Sequence, residues 1–158
     1  MSKKLAAVAF FVAFFAVNSF AQETFTHPTA KVSVTLPAGW TYEIDGETIV
    51  ASAPDGGIGI SFSVIANDAL DAALSGVEAS LSEQFSSVNF GEAQTNEVNG
   101  LGVRYVEGQA DGLEAMVAVV DAPAANTSLV ISAFADAETL QKYAEDVQMI
   151  LGSISAAH

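Results

Sequence analysis

The residue types that most often carry catalysis are scarce in this chain of 158 residues. It contains no cysteine, and its two histidines are His27, in a polar N-terminal segment, and His158, the last residue. A nucleophilic serine needs a base held within hydrogen-bond distance, and a histidine at a flexible end of the chain does not supply one. A structural zinc site lacks ligands for the same reason. We therefore expect no catalytic residues and no zinc.

Acidic residues are numerous, and several stand in close pairs. Two carboxylates can hydrolyse a glycosidic bond when burial raises the pKa of one of them. These pairs fall in predicted turns, at a helix start and on a helix, so we expect solvated carboxylates, and an acid–base hydrolase is a distant alternative. No segment has the pattern of a calcium loop, and Asp55-Gly56-Gly57 precedes a strand rather than a phosphate-binding helix. The sequence predicts neither a metal nor a cofactor. The pairs are Asp45/Glu47, Asp68/Asp71 and Glu145/Asp146.

Trp40, the only tryptophan, is the first of two candidate binding residues. It directly follows the turn Pro37-Ala38-Gly39. One interpretation is that the indole closes the core beneath this turn. The other is that it is an exposed anchor for a partner, since tryptophan is enriched at the centres of interfaces.

Arg104, the only arginine, is the second candidate. If Asn99-Gly100 forms a two-residue hairpin turn, Thr95 lies opposite Arg104 and Glu97 is its diagonal neighbour. We expect Arg104 and Glu97 to form a structural pair under or beside a helix. The alternative is that Arg104 binds an anion.

The first 21 residues have the three parts of a signal peptide. Lys3 and Lys4 precede the apolar run 5–17, and Ser19 and Ala21 are the small residues before a cleavage point. The run is shorter than the roughly 20 residues that span a bilayer, although an uncleaved anchor is the alternative. We predict cleavage after Ala21, which intact mass spectrometry of the exported protein will test. A chain that still starts at Met1 would contradict it.

The remaining residues, 22–158, suit one domain and are strongly acidic. They hold three lysines and arginines against nineteen aspartates and glutamates, a formal charge of −16. Such a charge repels nucleic acid and anionic lipid headgroups, so we exclude both as partners. It favours solubility or the recognition of a cationic partner.

Polar–apolar alternation and turn residues predict eight strands and two amphipathic helices. One helix has a stripe from Leu70 to Val88, with Asn67 or Asp68 as its N-cap, and the other follows an Asp136 cap with a stripe from Leu140 to Ile154. Residues 22–29 form a polar lead-in. The strands are 31–36, 40–44, 48–52, 58–65, 93–98, 101–109, 113–120 and 127–134.

Two of these strands are apolar at consecutive positions, in Ala115–Val120 and Leu129–Ile131. Both faces of the sheet must therefore be buried. The two helices can cover opposite faces. The sequence thus predicts an α+β fold, an antiparallel meander between two helices in a three-layer α/β/α sandwich.

The chain resembles the superfamily of the photosystem extrinsic protein PsbP and the periplasmic DcrB-like proteins. The resemblance spans nearly all of residues 22–158, on short motifs: Leu36-Pro37-Ala38-Gly39-Trp40, Ala53-Pro54-Asp55-Gly56, Gly102, Tyr105-Val106-Glu107-Gly108 and Ile154-Ser155. It implies an antiparallel sheet between helices and a non-enzymatic accessory, chaperone or adaptor role, with no catalytic residues. Many DcrB-like members are lipoproteins, but this chain lacks the cysteine that a lipid anchor requires.

These observations favour an exported, non-catalytic binding or accessory protein, periplasmic or secreted. We expect a protein partner, no membrane insertion after cleavage, and a monomer or weak oligomer. The alternative is an immunity-type inhibitor whose acidic surface occludes the basic site of a toxin or enzyme.

Overall fold

The computed structural model describes residues 22–67 and 69–157. Three helices lie among eleven strands in this part of the chain. The helices are α1 (Leu70–Gln84), α2 (Ala137–Lys142) and α3 (Ala144–Gly152). The strands are β1 (Glu23–His27), β2 (Val32–Leu36), β3 (Thr41–Asp45), β4 (Thr48–Ser52), β5 (Gly59–Ile65), β6 (Val88–Phe90), β7 (Gln94–Val98), β8 (Leu101–Ala110), β9 (Leu113–Asp121), β10 (Ser128–Ala135) and β11 (Ser155–Ala156).

The strands form two antiparallel sheets. The larger has eight strands in the order β3-β4-β5-β10-β9-β8-β6, with β7 also paired to β8. The long strand β8 serves two partners along one edge, β7 at residues 101–105 and β6 at residues 108–110. The smaller sheet has the order β1-β2-β11.

The larger sheet is buried on both faces, as its consecutive apolar residues predict. Helix α1 packs on one face, where Leu74 and Leu81 contact a cluster that includes Val117 and Val119 of β9. The small sheet, α2 and α3 cover the other face, where Trp40 and Phe62 belong to the main core. The predicted three-layer α/β/α arrangement is confirmed, and the small sheet is an addition to one outer layer.

The segment predicted as a polar lead-in contains strand β1. Phe25 and His27 point inward and are buried, while Thr24 and Thr26 on the outer face hydrogen-bond to hydroxyls of β2 at 3.0 Å. His27 is therefore held rigidly. Its Nδ1 accepts from the Ala30 N–H at 3.2 Å, which leaves Nε2 to donate to the Glu47 carbonyl at 2.6 Å.

Helix α1 is shorter than its apolar stripe predicts, and Val88 belongs to strand β6. The helix ends because Phe85 is extended (φ −108°, ψ 146°). The Asp111 carboxylate then accepts from the N–H groups of Ser86 and Ser87, at 3.2 and 2.7 Å. These bonds direct the chain into β6.

The ends of the two predicted helices also differ in part from expectation. The N-cap of α1 is Ala69, whose N–H donates to the Asn67 Oδ1 at 2.9 Å, so Asn67 is not the cap; Asp68 lies outside the described residues. Asp136 does cap the closing helix, through the Thr139 N–H at 2.8 Å, as predicted. That helix is interrupted at the buried Tyr143 and forms α2 and α3.

The predicted signal peptide, residues 1–21, lies outside the described residues. Among the helices that are described, none combines the length and the apolar character needed to cross a bilayer.

Candidate functional site

Trp40 is part of the core, as one of its two interpretations predicts. The residue is 2% exposed, and its ring packs edge-on against Tyr143, with centroids 5.9 Å apart. The indole N–H donates to the Asp146 carboxylate of α3 at 2.9 Å. Trp40 therefore joins the turn before β3 to the helical layer, and a side chain so buried cannot be an exposed anchor.

The turns that carry the family resemblance meet around this tryptophan. Gly39 has a positive φ of +90°, and a Cβ at this position would lie 3.0 Å from the Pro54 ring, so the two turns pack against each other. In the second turn, Asp55 binds the Lys142 ammonium at 2.8 Å. This ammonium, with the Tyr143 hydroxyl and the Gly57 N–H, holds the pKa of Asp55 well below its usual range. These contacts hold the helical layer against the two turns. The cluster contains no group that could react with a substrate.

Arg104 lies where the hairpin register predicts, but its acidic partner is different. Thr95 is its cross-strand neighbour and accepts from Arg104 Nη1 at 2.6 Å. The ion pair joins Arg104 Nε to Asp71 in the first turn of α1, so the predicted pairing with Glu97 is wrong. The reason is close approach of the helix, since Gly102 has no side chain and a Cβ there would lie 3.6 Å from Leu70. The Nε and Nη1 atoms of Arg104 thus both serve contacts within the chain.

This ion pair is mostly exposed, so its predicted energy is small. Asp71 keeps 81% of its side-chain surface exposed and Arg104 keeps 31%. In a double-mutant cycle of Arg104→Ala with Asp71→Ala, we expect a coupling of about 0.2–1 kcal/mol. The same cycle with Glu97→Ala should give additive losses. Denaturant unfolding of the six proteins measures both, and coupling to Glu97 alone would refute the assignment.

Among the acidic residues that the structure describes, the others do not assemble a reactive centre. Glu47 accepts from the Thr29 hydroxyl on the surface, and Asp146 is engaged by Trp40. In residues 22–67 and 69–157, no three histidine or acidic side chains lie close enough together to hold a metal ion.

The candidate site is a groove of about 480 Å³ on the face of the large sheet away from α1. We call it the α3 groove. It lies between α3 and the β7–β8 hairpin, because α3 is short and leaves part of β8 and β9 uncovered. Neither Trp40 nor Arg104 lines it. Its lining residues are Asn96, Glu97, Val98, Val103, Tyr105, Glu107, Met116, Ala118, Val120, Ile131, Gln148, Leu151, Gly152 and Ile154.

One end of the α3 groove is closed by the tip of the hairpin. Asn99, in the left-handed conformation (φ 48°), donates from its side-chain amide to the carbonyls of Gly152 and Ile154, at 3.0 and 2.7 Å. These bonds fix the distance between the hairpin and the end of α3. The groove is therefore preformed by the fold.

The floor of the groove is apolar and its charge is negative. Val103, Tyr105 and Met116 are only partly buried, although they lie on the core face of their strands. Glu107 stands on the same face of β8 and is exposed; Glu97 of β7 borders the groove at the edge of the sheet, with its side chain on the opposite face. The lining contains no lysine, arginine or histidine. This site can hold an uncharged or cationic apolar group, but it has nothing to activate one.

Sequence reasoning did not find the α3 groove. The sequence predicted one closing helix that can cover this face, whereas the helix is divided and its second part is only nine residues long. A usable signal was present in β8 and β9, where Tyr105, Glu107 and Met116 bring polar or adaptable side chains to the face that also carries Val103, Ala118 and Val120.

No protein-family model matches the sequence, and no curated protein matches it. Several solved structures, in contrast, match the fold of this chain. The solution structure of cyanobacterial PsbP (CyanoP) from Synechocystis sp. PCC 6803 matches with a TM-score of 0.64 at 7% identity, over 87% of this chain and 93% of that one. The Saccharomyces cerevisiae Ran-binding protein Mog1p matches at 0.55 and 10% identity, over 87% and 96%. A Bacteroides thetaiotaomicron protein matches at 0.53 and 16% identity, over 86% of this chain and 48% of its own. The chain therefore has the PsbP-like fold.

Proposed function

We propose that this chain is an exported, non-catalytic accessory protein that binds a partner protein through the α3 groove. The ligand is an apolar segment of the partner that carries basic residues. The observation that carries this proposal is the partly exposed apolar floor of the groove, which holds the exposed Glu107 carboxylate and is free of basic side chains.

Three features support a protein ligand. Partly exposed apolar patches with polar rims are typical of interaction sites, and tyrosine and methionine are enriched in them. The acidic rim, in a chain of −14 formal charge, attracts cationic partners and repels acidic ones. One protein of similar fold is a Ran-binding protein, so this fold supports protein binding in at least that case.

Export rests on residues 1–21, and the first strand begins at Glu23, two residues after the predicted cleavage point. On this basis we propose that the protein acts in the periplasm or in the medium.

Two fluorescent nine-residue peptides test the proposal. One contains leucine and lysine and the other leucine and glutamate in the same positions, so that only the charge differs. Measured by anisotropy on residues 22–158, the lysine peptide should bind and the glutamate peptide should not. Absence of binding by the lysine peptide would contradict the proposal.

A matched pair of variants separates the groove from general charge attraction. Glu107→Lys changes the groove, whereas Glu83→Lys makes the same charge change on the exposed side of α1. We expect Glu107→Lys to weaken binding at least fivefold more than Glu83→Lys, about 1 kcal/mol. Equal weakening would indicate attraction by the whole acidic surface, as the inhibitor alternative requires.

A further inference from the structure

Strand β7 has an open edge beside the α3 groove. Among the described residues it pairs with β8 alone. Its hairpin turn has two residues, so Val98 and Leu101 form a hydrogen-bonded pair, and every second residue of β7 directs its N–H and C=O away from β8. These residues are Thr95 and Glu97. In agreement, the Glu97 N–H donates to the neighbouring Asn96 Oδ1, at 2.8 Å, rather than to β8.

We propose that the partner segment binds in an extended conformation and adds a strand to this edge of β7. The inference rests on the proposed function, because it specifies how a segment would occupy the same groove. An added strand would lie about 4.8 Å outside β7, where its carbonyls can accept from the Thr95 and Glu97 N–H groups. Main-chain bonds of this kind give affinity, and pockets for alternate side chains give specificity.

The two faces of β7 require different side chains on the added strand. Asn96 and Val98 are the register partners of Val103 and Leu101, so they share the face of the α3 groove. Long apolar side chains on this face of the added strand can reach the groove. Thr95 and Glu97 share the opposite face, where a basic side chain would lie beside the Glu97 carboxylate. The geometry therefore selects a segment in which apolar and basic residues alternate.

The one basic residue nearby does not oppose this arrangement. Arg104 is on the same face as Glu97, but on β8, one strand further from the edge, and it is paired with Asp71. The exposed Glu97 carboxylate has no hydrogen-bonded or ionic partner among the described residues.

The open edge of β7 has little protection against pairing with another strand. Natural open edges are commonly blocked by lysine, proline or bulges, and β7 contains neither lysine nor proline. Its protection is the Asn96 side chain on the Glu97 N–H. A carbonyl of the incoming strand can replace this single local bond without moving β7.

Two peptides of equal composition test the inference. In one, valine and lysine alternate; in the other, the same residues follow helical spacing. We expect the alternating peptide to bind residues 22–158 more tightly, by fivefold or more. In NMR hydrogen exchange, it should slow exchange of the Thr95 and Glu97 amides by about tenfold, with little change at Asn96 and Val98.

Two substitutions of one residue separate the main-chain bond from the charge. Glu97→Gln removes the carboxylate, whereas Glu97→Pro also removes the outward N–H, which an edge strand tolerates. We expect a further tenfold loss in Glu97→Pro, with an unchanged midpoint of thermal unfolding. If both peptides bind equally and these amides stay unprotected, the inference is wrong while the proposed function stands. If neither peptide binds, the proposed function fails as well.

Discussion

Replacing Gly108 by alanine should destabilise the protein by about 2–4 kcal/mol. The backbone of β6 pairs with β8 at Gly108 and lies so close to it that an added Cβ would collide with the Asn89 carbonyl and would lie 2.7 Å from the Phe90 Cα. These are main-chain atoms, so no side-chain rotation can relieve the contact. Either β6 separates from β8 or the edge of the sheet shifts.

Denaturant unfolding measures this loss, and amide exchange at Asn89 and Phe90 shows whether β6 has separated. Gly152→Ala is the matched control, because it lies in α3 with no atom within 4 Å of the added methyl. We expect it to be neutral or slightly stabilising. If Gly108→Ala were as stable as Gly152→Ala, the close approach of β6 would be disproved.

Trp40→Ala should cost about 3–5 kcal/mol, the range for removing a large aromatic side chain from a core. The loss combines the cavity beside Tyr143 with the hydrogen bond to Asp146. Since small domains are stable by only about 5–15 kcal/mol, we expect a large decrease in the midpoint of thermal unfolding. Circular dichroism is the suitable probe, because the variant has no tryptophan left for fluorescence.

Two further variants locate the source of this loss. Trp40→Phe keeps part of the ring packing and removes the N–H donor, so we expect a smaller loss that includes the bond to Asp146. Ile44→Ala removes an apolar side chain that is 65% exposed on the neighbouring strand β3, and we expect a change within about 0.5 kcal/mol. Equal losses in Ile44→Ala and Trp40→Ala would show that Trp40 does not anchor the core.

Local patterns were sufficient to predict most of the large sheet. The Asn99-Gly100 turn specified the β7–β8 register, including the position of Thr95 opposite Arg104. The consecutive apolar residues in β9 and β10 indicated burial of both faces, and hence three layers. These features depend on residues close together in the sequence, where turn geometry and side-chain alternation decide the outcome.

The missed elements depend on partners distant in the sequence. Strand β1 places only Phe25 and His27 inward, a pattern too short to distinguish from a polar loop. Helix α1 ends at the extended Phe85, before its apolar stripe does, and Asp111, far along the chain, binds the N–H groups that follow and directs them into β6.

Sequence patterns could not predict the Asp71–Arg104 pair or the α3 groove, for the same reason. Asp71 reaches Arg104 only because α1 packs over Gly102, and the α3 groove is open only because α3 is nine residues long. Neither arrangement is encoded in the periodicity of one segment.

The position of β2 constrains the order in which the molecule folds. It lies between β1 and β11, and Ser155 of β11 pairs with Ser33 of β2. A chain synthesised from its N-terminus therefore has β2 available long before β11 exists. Closing a contact of such sequence separation is slow, because the intervening chain must first be ordered. We therefore expect the small sheet to be completed late in folding, with one edge of β2 open to pairing with other chains until then.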